Sequence, residues 1–160
     1  MAKKKDSKTN AMRILDAAGI EYVVHRTDAT ALDSGVDVAR MAGQDPDRVF
    51  KTLVTVAKSG EHYVFIVPVA CELDLKKAAC AAREKSIAMV KARELFDLTG
   101  YVHGGCSPLG MKKSYETFID EACTLFDKIL FSGGKIGVQI EVSFPDLKRA
   151  MDIHIADLTA

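Results

Sequence analysis

Residues 51–57 and 62–67 form two β-rich runs separated by Lys58-Ser59-Gly60-Glu61, and no other feature of the chain restricts its fold so firmly. The length of this connection and its glycine suit a hairpin, so at least one antiparallel pair of strands is expected. A second pair is expected at residues 128–131 and 135–142, with Ser132-Gly133-Gly134 read as the turn between them. Ile20, Tyr22 and Val24 alternate with Glu21, Val23 and His25, a period of two that suggests a further half-buried strand.

Helical signals fall between the strands. Ala11, Ile14, Leu15 and Ala18 recur at helical spacing and Gly19 supplies a stop. Ser34 followed by Asp37 resembles a capping box for a short helix that Gly43 ends. Asp74 can cap a helix carrying Leu75, Ala78, Ala79 and Ala82, a short helix is expected over 91–96, and Ser143 caps a last one with Pro145 in its first turn. Helices interspersed with mostly hairpin-connected strands imply a single α+β domain on a mixed sheet rather than a βαβ repeat. A chain of 160 residues fills about one domain. It can bury enough surface to fold without disulfides or a structural metal.

Composition and charge exclude several functions. The chain is 48% hydrophobic, but no apolar run approaches the roughly 20 residues of a membrane span. Its formal net charge is zero, with Lys3, Lys4, Lys5 and Lys8 set against Asp6 near the start, so the body carries an acidic excess. A nucleic acid would need a local basic patch, and non-specific binding to duplex DNA is not expected. The lysine-rich start lacks an apolar stretch, which excludes a secretory signal and points to the cytoplasm. Cys71, Cys80, Cys106 and Cys123 form no CxxC pair, and His25, His62, His103 and His154 show no HxxxH spacing. No metal site or cofactor is therefore expected, and no GxGxxG or GxxxxGK phosphate loop is present.

Three segments could carry chemistry. Alternation places Lys51, in Phe50-Lys51-Thr52-Leu53, on the side of Leu53 rather than of Phe50. Such a lysine either guards a strand end or holds a phosphate or ribose oxygen at a pocket rim. The run Gly104-Gly105-Cys106-Ser107-Pro108-Leu109-Gly110-Met111-Lys112-Lys113 is either a surface turn or a backbone cradle whose amides could polarise a carbonyl. Cys106 has no identifiable activating partner and is read as non-catalytic.

Taken in order, Phe50-Lys51-Thr52-Leu53, Pro68-Val69-Ala70 with Leu73-Asp74-Leu75-Lys76-Lys77, Thr99-Gly100-Tyr101, the glycine loop, and Ser132-Gly133-Gly134-Lys135 resemble the YbaK/EbsC family of trans-editing deacylases, which hydrolyse Cys-tRNA(Pro). The resemblance extends from about residue 11 to residue 157. It implies a compact α+β fold with a mixed, barrel-like sheet flanked by helices, in which residues 1–10 are a flexible basic segment and residues 11–160 the editing domain. It further implies a catalytic set of Lys51, Gly104, Gly105 and Ser107. The substrate-binding set it implies is Phe50, Thr52, Pro108, Ser132, Gly133, Gly134, Lys112, Lys113 and Lys135. The implied partners are the acceptor 3′ end of tRNA(Pro) and prolyl-tRNA synthetase. The implied mechanism is attack by the cysteinyl thiol on its own ester. Gln139 stands where these enzymes carry an aspartate, and Thr27 where they carry a tyrosine. An Ala-tRNA(Pro) deacylase of the same fold and a non-catalytic module that binds aminoacyl-tRNA or a synthetase are the competing expectations.

Overall fold

The computed structural model describes residues 7–160. Residues 1–6 of the flexible basic segment expected at positions 1–10 therefore lie outside the described residues. Thr9 caps α1 (Asn10–Ala17) by accepting from the Met12 N–H, and the helix turns Ala11, Met12 and Leu15 into the interior. Strand β1 (Val23–Arg26) is followed by α2 (Gly35–Met41), which opens on the capping box of Ser34 and Asp37. The hairpin is β2 (Phe50–Ala57) and β3 (His62–Pro68), paired antiparallel from Phe50–Pro68 to Val56–His62. Next come α3 (Leu75–Ala82), β4 (Ile87–Met89), α4 (Ala92–Thr99) and β5 (Glu116–Asp120). The chain ends with β6 (Ile129–Lys135), β7 (Val138–Val142), α5 (Phe144–Ala150) and β8 (His154–Ala156).

Two sheets result. One is antiparallel, in the order β1-β7-β6; the other is mixed, in the order β4-β2-β3-β5-β8, with β5 parallel to both β3 and β8. They meet where Val49 bridges Leu130 in parallel fashion. The architecture is a single mixed α+β domain as expected, but it consists of two adjoining sheets and not a closed barrel. The main core lies on the shared inner face, where Phe50, Ile66, Phe131 and Ile140 pack against Leu15 of α1, Leu95 of α4 and Leu147 of α5. A second core, centred on Phe65 and Phe118, is covered by the alanine face of α3. Ala39 of α2 closes over Val49 and Leu130 on the outer side of the junction.

The second hairpin differs from expectation. Ser132, Gly133 and Gly134 lie inside β6, where the register shifts between Ser132 and Lys135, and the turn is at Ile136-Gly137. The glycines serve the bulge: a Cβ on Gly133 would come within 2.9 Å of Val138 Cγ1, and Gly134 has φ +104°. Strands β4, β5 and β8 had no counterpart in the sequence reading. The structure makes Phe131, fully buried against helices and both sheets, a keystone. Phe131→Ala should cost about 3–5 kcal/mol of stability, read as a lower urea midpoint.

Candidate active site

A cleft of about 210 Å³ opens where β2 and β6 part company. In the register set by the Val49–Leu130 bridge, Phe50 falls opposite Phe131 and Lys51 opposite Ser132. The faces agree: Val49 and Leu130 share the outer cluster, and Phe50 and Phe131 share the inner core. Strand β4 pairs β2 only from Thr55 to Ala57, so the first half of β2 presents a free edge to the cleft. Ser132 pairs in turn with Gln139, and Gln139 with His25. Lys51, Ser132 and Gln139 therefore form a row on one face, and all three line the cleft.

The side chains in this row, and Thr52 beside it, are under-partnered. The Lys51 ammonium has the Glu72 carboxylate 4.0 Å away, and that carboxylate is 92% exposed. Such a loose, hydrated pair contributes little and is readily exchanged for a ligand oxygen. Ser132 Oγ accepts from the Gly134 N–H at 3.1 Å, which leaves its own O–H free to donate. Thr52 Oγ1 and Gln139 Oε1 are buried and have no hydrogen-bond partner. Unpartnered buried oxygens are uncommon in folded proteins and each costs stability.

The glycine loop forms another wall, and its residues divide by role. Gly104, exposed at φ +87°, and Cys106 line the cleft together with His103. Gly105 is buried, and a Cβ there would meet the backbone of Ile136 at 2.9 Å, so the β6–β7 turn packs directly on it. Its N–H donates to the Val102 carbonyl at 2.9 Å. Ser107 is fully buried, with Oγ accepting from the Leu109 N–H at 3.3 Å. Tyr101 donates its hydroxyl to the Leu109 carbonyl at 2.6 Å and ties the loop down. Burial pushes this phenol up to about 12, with the neighbouring Cys106 adding to the shift.

The other expected residues are spread out. Phe50 is anchored in the core and shows an edge to the cleft, and Thr52 lines it as well. Pro108 lies instead in a larger cleft of about 550 Å³ behind the loop, beside Lys113 and Tyr115. Lys112 is exposed, with Nζ 5.1 Å from the ring centroid of Phe96, itself 54% exposed. Lys135 is exposed at the end of β6. None of these three lysines lines the cleft that holds Lys51.

Sequence reasoning missed the roof. Thr30, Asp33, Ser34, Gly35 and Val38, from the segment entering α2, line the cleft opposite the sheet. The capping box located the helix start but could not say where the helix docks. The closest hint was Gly35, where a Cβ would stand 2.7 Å from Val69 Cγ1, so glycine is required for the helix to settle there. Among the described residues no group of three or more His, Cys, Asp or Glu side chains is placed to hold a metal ion, and no helix is long and apolar enough to cross a membrane.

Comparison with known proteins agrees with this fold. The model of the aminoacyl-tRNA editing domain matches residues 30–150, and the chain belongs to that family. Among curated proteins it is 42% identical to the Enterococcus faecalis protein named "Putative Cys-tRNA(Pro)/Cys-tRNA(Cys) deacylase EbsC", with 99% of this chain and 98% of that one covered. Two solved structures share the fold. One, of a hypothetical protein, has a TM-score of 0.86 at 21% identity, covering 95% of this chain and all of the other. The other, described as "a putative trans-editing enzyme for prolyl tRNA synthetase", has a TM-score of 0.79 at 22% identity, covering 96% and 99%.

Burial pushes the Cys106 thiol from its ordinary value of 9.0 up to about 11, against a smaller opposing effect of a hydrogen bond with Thr99, and it pushes Cys123 to about 11 as well. Both thiols hold their protons more tightly folded than unfolded. Above pH 9 the unfolded chain loses them first, so stability is full below that value and declines as pH rises toward 11. The melting temperature should fall over this interval, and Cys106→Ala should flatten the fall. At pH 8, iodoacetamide should label the exposed Cys80 well before Cys106.

Proposed function

We propose that the protein hydrolyses mischarged Cys-tRNA(Pro) in trans, with the substrate's own thiol as nucleophile. The observation that carries this reading is the cleft itself: a nearly unpaired ammonium and free polar groups face a space whose one cysteine is held protonated. A neutral buried thiol is a poor nucleophile. The attacking atom is then the cysteinyl sulfur, already a few per cent thiolate at neutral pH. The resemblance to the E. faecalis relative supports the same substrate.

In the first step the sulfur bonds to the ester carbonyl carbon, and the negative charge moves onto the carbonyl oxygen. Collapse of this intermediate breaks the bond to the ribose 3′ oxygen, which takes the proton given up by the thiol. The products are deacylated tRNA and a cyclic thiolactone, which water opens to cysteine. Lys51 holds the terminal phosphate or ribose as a compact point charge. The Ser132 hydroxyl, free to donate midway along the row, orients the ester. With the Gly105 N–H committed to Val102, the developing oxyanion falls to the Cys106 N–H, for which no protein acceptor is present among the described residues. Gly104 keeps that approach open, and Gly105 and Ser107 act as positioning residues.

Holding thiol and ester together is the protein's main contribution, since intramolecular attack replaces an encounter in solution. The exposed Phe96 with Lys112 above it, and Lys113 and Lys135 further out, suit a single-stranded 3′ end by stacking and phosphate contact. A chain without net charge, whose body carries an acidic excess, binds tRNA weakly, so selection of tRNA(Pro) is assigned to association with prolyl-tRNA synthetase.

Lys51→Ala should lower single-turnover deacylation of Cys-tRNA(Pro) by about 100-fold or more while leaving the circular dichroism spectrum unchanged. Retention of most activity would overturn the role. With the wild-type protein, Cys-tRNA(Pro) should be hydrolysed much faster than Ser-tRNA(Pro), whose hydroxyl is harder to ionise, and Ala-tRNA(Pro) should be spared. Equal hydrolysis of Ala-tRNA(Pro) excludes the thiol mechanism. Binding without release of amino acid would mark a non-catalytic module.

A further inference from the structure

Gln139 is only 6% exposed, and its side-chain oxygen has no partner in the protein. It stands at the far end of the row that begins with Lys51, with Ser132 between them. At about 4.8 Å per strand, the two ends are roughly 10 Å apart or somewhat more, because the sheets diverge here. A carboxamide oxygen accepts hydrogen bonds and cannot donate them, so whatever completes it must bring a donor. Rotation about the last torsion of the glutamine turns that oxygen toward the cleft without moving the backbone.

An aminoacyl ester of a nucleotide carries opposite charges at its two ends: phosphate on one side of the ribose and the α-ammonium group on the other. Lys51 attracts the first and repels the second. Asp33, the one carboxylate lining the cleft among the described residues, is held on the roof by accepting from the Thr30 N–H at 2.7 Å. It gives the cleft a negative side. We propose that Gln139 reads the α-ammonium group of the aminoacyl ester, accepting a hydrogen bond from it while Lys51 holds the nucleotide at the opposite end. The proposal rests on the editing reading above and adds to it the substrate group that fixes the direction of binding. In consequence the site selects esters of free amino acids over esters whose amine is missing.

The test uses two non-hydrolysable ligands: 3′-amino-3′-deoxyadenosine 5′-phosphate joined by an amide to cysteine, and the same nucleotide joined to 3-mercaptopropanoic acid, which lacks only the amine. Calorimetric titration of the wild-type protein should show the cysteinyl ligand bound roughly tenfold more tightly or better. Gln139→Leu should bring the two affinities together, chiefly by weakening the cysteinyl ligand. Gln139→Glu, which keeps an acceptor, should preserve the preference. The urea midpoint of Gln139→Leu should stay level or rise, because the substitution removes an unpartnered buried oxygen. Equal binding of both ligands by the wild type, or a preference that survives in Gln139→Leu, overturns the proposal and leaves the editing reading standing. Failure of the wild type to bind either ligand overturns both.

Discussion

The parting of β2 from β6 just beyond the Val49–Leu130 bridge is the constraint on which the rest of this molecule depends. The bridge joins Val49, just ahead of β2, to Leu130 of β6, with Ala39 of α2 clamped over the junction. Beyond it no ladder joins β2 to β6, and the first half of β2 is left without a paired strand on that edge. An exposed strand edge invites aggregation, and proteins usually cover it. Here the segment entering α2 and the glycine loop cover it incompletely, and the gap between them is the cleft.

Glycine sets how close these covers come. Gly105 lets the β6–β7 turn rest on the loop backbone, Gly35 lets α2 settle against Val69, and Gly133 leaves room for Val138 inside the bulge. Each glycine so placed fixes the width of the cleft more than it touches a ligand. The loop that read as either a surface turn or a backbone cradle for a carbonyl is chiefly a packed strut. Only Gly104 and Cys106 of its first half, with His103, reach the cleft, and the Tyr101 hydroxyl ties its far end.

Much of this was legible in the sequence because it is local. The hairpin of β2 and β3, the stop of α1, the caps on α2, α3 and α5, and the face on which Lys51 lies all follow from residues within a few positions of one another. What was not legible depends on distant contacts. Strand β5 is recognisable only once β3 and β8 lie on either side of it, since Glu116-Thr117-Phe118-Ile119-Asp120 is too short and too mixed to show a period. Ser132-Gly133-Gly134 has the composition of a turn, and only its pairing with β7 shows it to be a bulged strand. Gln139 stood out as an unusual residue at its position. Its burial without a partner could not be seen before Ser132 and His25 were placed beside it.

The same polar atoms that identify the cleft also work against the fold. An unpartnered buried hydroxyl or amide costs on the order of 1–3 kcal/mol, and Thr52 and Gln139 each carry one. Valine in place of Thr52 would fill the same volume without that cost, so stability alone does not account for the hydroxyl. A ligand that supplies the missing partners recovers the energy on binding, and does so only when its own groups lie where these side chains can turn an oxygen to meet them. That is how a shallow space of about 210 Å³ can discriminate by orientation as well as by size. For a reaction in which the substrate provides its own nucleophile, orientation is most of what a protein can contribute, and the strain of two unsatisfied oxygens in the free protein is spent on it.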